Sequence, residues 1–198
     1  MRRVKNLLAA GLSLVISNSA AAQDAPAAPA PKGVSFDLLA EIGVEYGGDR
    51  VAKFEFTNGG TQTMRAGQGG TAALGVRLRP RRGSPLGVRA TAGIKYVTTA
   101  ADNANITLTR IPLEVVGSYH VTKDFWAGAG YVHHARIRFD GDDFGPDIEF
   151  KSANGATVEV GWRWAALTYT ALEYTGGGAP GLDASSLGVA AVIPVLRR

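Results

Sequence analysis

Two histidines in the stretch "YVHHAR", residues 131–136, are the first whose type and spacing suggest chemistry. An imidazole can take the proton of a hydroxyl on the same strand face and so turn a serine into a nucleophile. The residue two places after His133 is Ala135, so that hydroxyl is missing and the imidazole has nothing to activate. His134 is therefore read as a polar group on an enclosed face and His133 as an interfacial one. The stretch "DGDDFGPDIEFK", residues 140–151, begins like a calcium loop, with Asp140, Asp142 and a glycine, Gly145, at the sixth place. It then fails, because Phe144 holds the fifth place and Lys151 the twelfth, where such a loop needs carboxylate or amide oxygens. A solvated acidic loop is the expectation. The glycine-rich run 59–70 has no Lys-Ser/Thr and no strand-to-helix context, so it holds no phosphate and extends a hairpin. The chain has no cysteine, hence no disulfide and no thiol nucleophile. The reading identifies no catalytic residue, no metal ligand set and no cofactor.

The elements that carry these residues follow a period of two. In "TAALGVRLRP", residues 71–80, Ala72, Leu74, Val76 and Leu78 share one face while Thr71, Gly75, Arg77 and Arg79 share the other. Seven further stretches of about ten residues repeat the pattern between Val34 and Val195, separated by Gly, Asp, Asn and Pro clusters. They are centred on "FDLLAEIGVEY", "LGVRATAGIKYV", "IPLEVVGSYH", "FWAGAGYVHHARIR", "ATVEVGWRW", "LTYTALEY" and "SLGVAAVIPV"; the phase of "LTYTALEY" is ambiguous. Eight strands joined in sequence as hairpins close most simply into an up-and-down barrel, which leaves no edge.

Alternation alone does not say which face is outside. Three features decide it. Tight connections ("PRRGSP", "VTKD", Ala165-Ala166) alternate with long ones, the arrangement of outer-membrane barrels. Phe36, Tyr119, Phe125, Trp164 and Tyr169 fall at one end of their strands, with Trp162 beside them, and Tyr46, Tyr96 and Tyr174 fall at the other, as two interfacial girdles would. The polar face carries Arg77, Arg79, Arg89, Arg110, Arg136, Arg138 and Arg163 with only Lys95, together with Asp37, Glu41, Glu45, Glu114 and Glu159. A confined lumen favours arginine, whose planar fork pairs with carboxylates. The predicted fold is all-β, an eight-stranded antiparallel up-and-down transmembrane β-barrel with these charges inside as one bonded network.

The ends of the chain supply an address. Arg2, Arg3 and Lys5 precede the apolar run "LLAAGLSLVI", and Ala20-Ala21-Ala22 offers a cleavage site, so residues 1–22 read as a signal peptide. Residues 23–33, "QDAPAAPAPKG", read as a Pro/Ala-rich periplasmic leader, and 34–198 as the barrel. Removing the signal takes three of 21 basic residues and none of 17 acidic ones, so the net charge falls from +4 to +1 and a nucleic-acid partner is excluded.

From Val34 to Val195 the chain resembles the small eight-stranded outer-membrane barrels: the OmpA transmembrane domain, OmpX and OmpW-like proteins. The resemblance rests on the strand pattern and charged lumen quoted above. It implies a Gram-negative outer membrane with the N-terminus in the periplasm, and as partners outer-membrane lipids, lipopolysaccharide and the barrel assembly machinery. The expected role is structural or surface-interacting and non-enzymatic, with an unspecified surface ligand. A small porin-like channel is the alternative. A lipid A-modifying enzyme is a more distant one, because barrels of that kind carry a His-x-Ser pair that is absent here. The chain departs from the resemblance in ending "VIPVLRR", without a terminal aromatic residue, and in placing Pro112 inside the fourth strand, which suggests a bulge.

Overall fold

The computed structural model describes residues 33–55, 59–98, 105–142, 145–176 and 179–197. The signal segment, the leader up to Lys32, and Phe144 of the acidic loop lie outside the described residues. Strands run β1 Ser35–Tyr46, β2 Arg50–Glu55, β3 Thr61–Arg65, β4 Gly69–Arg79, β5 Leu86–Thr98, β6 Thr107–His120 and β7 Phe125–Asp140. They continue as β8 Ile148–Phe150, β9 Ala153–Trp162, β10 Ala165–Ala171, β11 Glu173–Gly176, β12 Ala179–Asp183 and β13 Ser186–Arg197.

Eight of these close a ring. β4 pairs antiparallel with β5, β5 with β6, β6 with β7, β7 with β9, β9 with β10, β10 with β13, and β13 returns to β1, which pairs with β4. β8 continues the β9 stave against upper β7, and β11–β12 continue the β10–β13 hairpin upward. The turns at 80–85, 121–124 and 163–164 define a short-turn end, opposite a long-loop end that carries the separate β2–β3 hairpin.

The two faces are inverted relative to a soluble barrel. Leu74 is 71 % exposed, and Ile42, Val44, Val88, Ile94, Val115, Val158, Leu167 and Val189 also point outward. Arg110 is wholly buried and Lys95, Arg89 and Glu159 nearly so. An apolar belt of this size is stable only against lipid. The molecule is an all-β, eight-stranded antiparallel transmembrane barrel.

Toward the long-loop end the polarity turns over. Met64, Ala66, Ile106, Leu108, Val132, Ile137, Phe139, Phe150, Leu172 and Tyr174 form a buried apolar cluster inside the upper wall, under the β2–β3 hairpin, while Arg138, Glu149 and Glu173 face outward. On β7 the switch is built at Arg136, which adopts φ 48° in a bulge where the register against β6 slips between Thr109 and Ile111, whereas Leu108 on β6 is buried in the same phase as Arg110. One extra residue moves every following side chain to the other face. The upper wall therefore packs like a water-soluble sheet, on top of a section that packs like a membrane barrel.

Candidate functional site

The interior is layered. At the short-turn end Trp126, 4 % exposed, lies along the inner face of the neighbouring β9, its Nε1 donating to the carbonyl of Arg163 at 3.2 Å. Its indole fills the space where a side chain at Gly161 would stand, and His120 stacks on it with centroids 6.3 Å apart. The middle layer is ionic: Arg89 Nη2 meets Glu159 Oε1 at 2.5 Å and Glu41 Oε2 at 3.6 Å, and Lys95 Nζ meets Glu45 Oε2 at 2.8 Å. Ser186 also donates to Glu45, whose stem fits because position 188 is glycine. Arg110 donates to the carbonyl of Gln68, from the loop that follows the β2–β3 hairpin. The apolar cluster forms the top layer.

Of the charges predicted for the lumen, Asp37, Glu41, Glu45, Arg77, Arg79, Arg89, Lys95, Arg110, Glu114 and Glu159 line the inner wall, but not as one network. Arg79 pairs with Asp37 at 3.2 Å near the short-turn mouth. Glu114 borders a small cavity with Glu41, Glu45 and Glu159, and neither it nor Arg77 has an ion pair among the described residues.

Three assignments are corrected. Arg136 and Arg138 are exposed rather than lumenal, because the bulge at 136 reverses the phase. Arg163 sits with φ 56° in the two-residue turn 163–164, which replaces the expected turn at Ala165-Ala166, both now in β10, and its exposed guanidinium faces Asp124 at 3.8 Å. Tyr174 is not an interfacial aromatic: it is 1 % exposed and bonded through its hydroxyl to His134 Nδ1 at 2.7 Å. It lies five residues from the outward Tyr169, an odd separation that period two places on opposite faces.

Tyr46, Tyr96, Tyr119, Phe125, Trp162, Trp164 and Tyr169 are exposed on the outer wall, and Phe36 is half-buried there. Tyr46 and Tyr169 share Leu187, at the long-loop end of β13, as register partner, so Tyr169 belongs to the girdle of Tyr46 and not to that of Phe36 and Phe125, where the sequence put it. The tyrosine at 46 also accepts a 3.0 Å bond from Arg65 Nε, which ties the hairpin to the wall.

The histidines are separated by the wall. His133 faces outward, its Nδ1 2.6 Å from Asn154 Oδ1, an oxygen that also accepts from Tyr131 at 2.5 Å. His134 faces a phenol rather than a serine. In the acidic loop, carboxylates bind backbone: Asp142 Oδ2 accepts from the Asn105 amide at 2.5 Å and Asp147 Oδ1 from Gly141 at 3.1 Å. That Gly141 bond, followed by Arg138, holds the Asp147 carboxyl below the usual carboxylate range.

Trp126 and the apolar cap escaped the sequence reading. The signal for Trp126 was a large aromatic in the phase of Gly128 and Gly130, a register that needs small residues. Met64 carried no signal, since only the folded hairpin brings it over the bore.

Eight antiparallel staves, an apolar exterior and a bore filled by charged and aromatic side chains define a small transmembrane β-barrel, the class its strand pattern resembles. No protein-family model matches the chain, and no curated protein matches it. Among solved structures the chain is similar to Ail, the attachment invasion locus protein of Yersinia pestis, solved in complex with the heparin analogue sucrose octasulfate. The two are 9 % identical, with 81 % of this chain and 99 % of that one covered and a TM-score of 0.41.

Proposed function

We propose that this protein is a non-enzymatic barrel of the Gram-negative outer membrane with a structural or surface-interaction role. The observation that carries the reading is the bore filled above its short-turn mouth: the Arg89–Glu159–Glu41 and Lys95–Glu45 pairs and the cluster around Met64 and Tyr174 occupy successive levels of it. Eight strands enclose just enough space for side chains, so a filled interior leaves the outer wall and loops to do the work. On this reading residues 1–22 are a signal peptide removed on export and 23–33 a periplasmic leader. The barrel at 34–198 is inserted by the assembly machinery among outer-membrane lipids and lipopolysaccharide, with its long loops at the cell surface.

The test is reconstitution in planar bilayers beside fractionation of expressing cells. The protein should partition with the outer membrane, shift its mobility on gels when heated, and show no steady conductance. A stable ion-conducting wild type would replace this reading with the porin-like one, and recovery as a soluble monomer would end both.

A further inference from the structure

At the short-turn end the bore opens into a vestibule of about 1330 Å³. Its charge is one-sided. Arg77, Arg79, Arg82, Lys123 and Arg163 line it against only Asp37 and Asp124. Those two carboxylates are taken by Arg79 and Arg163, at 3.2 and 3.8 Å. Arg77, Arg82 and Lys123 have no ion pair among the described residues, and they come from β4 and from two different turns. The wall also holds two polar atoms without a partner. Ser35, 8 % exposed, has a buried Oγ with no hydrogen bond, and so has His120 Nδ1. Buried polar atoms are rarely left unpaired unless something not yet present satisfies them. A concave site with surplus fork-shaped cations and unfilled hydrogen-bonding positions is chemistry for an oxyanion.

We propose that this vestibule binds a ligand carrying two or more oxyanion groups, held by Arg77, Arg82 and Lys123 with Ser35 Oγ and His120 at its wall. The solvated rim cations Arg82 and Lys123 attract the ligand. Arg77 and Ser35, deeper in the wall, fix its orientation. A free polyanion and a lipid headgroup with two phosphates share this chemistry.

Binding is read on the purified full chain in a non-ionic detergent, so it does not depend on which side of a membrane the vestibule faces. Pyrophosphate and citrate are titrated calorimetrically. At least one should bind saturably and more weakly as salt is raised. Arg77→Ala, or the double variant Arg82→Ala/Lys123→Ala, should weaken binding about tenfold, and Ser35→Ala several-fold. The double variant changes only turn residues and keeps the test valid where Arg77→Ala does not fold. Displacement of the bound anion by short-chain cardiolipin, which carries two phosphates, but not by phosphatidylcholine, assigns the site to a lipid headgroup, and lack of displacement assigns it to a soluble polyanion. Absence of saturable binding by both probes, or binding unchanged in the double variant, overturns the proposal.

Discussion

The Trp126 indole occupies the volume that any side chain at Gly161 would need, so one glycine on β9 makes room for the aromatic that leans over it from β7. The two are register partners. Gly161→Val is expected to destabilise the barrel by about 1–3 kcal/mol through overpacking, and Trp126→Ala in the same chain should recover part of that loss. Urea unfolding in lipid vesicles over the four-member cycle measures the coupling; strictly additive effects would mean that the two side chains do not compete for one space.

The Arg89–Glu159 pair makes a sharper prediction. Arg89→Ala leaves Glu159 and Glu41 as uncompensated buried carboxylates and should cost about 3–5 kcal/mol. Replacing both members of the pair, as Arg89→Met/Glu159→Leu, should cost much less, because the desolvation penalty goes with the charges. Single-channel recording on Arg89→Ala is expected to show leak events that the wild type lacks.

On the outer wall, depth in the bilayer should govern tolerance. Leu74→Arg or Val158→Arg in the apolar belt is expected to cost about 2–4 kcal/mol, and Leu78→Arg near the short-turn end about 0–1. Equal costs at both depths, measured by unfolding in vesicles, would contradict the assigned belt.

The reversal at Arg136 can be tested with substitutions on either face. Arg138→Gln, on the exposed face beyond the bulge, should stay within about 0.5 kcal/mol of wild type, whereas Tyr174→Ala on the inner face should cost about 3–5. Arg136→Gly is expected to be neutral or stabilising, since φ 48° suits glycine, and Arg136→Val destabilising. Thermal or urea unfolding of the four variants checks the order.

Alternation over ten-residue stretches determined most of the architecture without any structure. The number of staves, their hairpin order, the short and long ends and the outward set around Leu74, Val88 and Val158 all follow from period two and the placing of turn residues. So did the inner position of Arg89, Lys95, Arg110 and Glu159. Tertiary structure decided what depends on a partner strand. A bulge is defined by the strand opposite it, so nothing within "HHARIRFD" announces that Arg136 is the extra residue and that Arg138 and Ile137 exchange faces. Tyr174 was obscured for a related reason: in "LTYTALEY" apolar residues occur in both phases, and only the pairing of β10 with β9 and β13 and of β11 with β12 selected the one that buries it. Which carboxylate each arginine meets depends on three-dimensional closure, which brings Glu159 of the sixth stave to Arg89 of the third. The cap is the extreme case: Met64 reaches the bore only because its hairpin folds back over the mouth, and long-range packing of that kind leaves no local period to read.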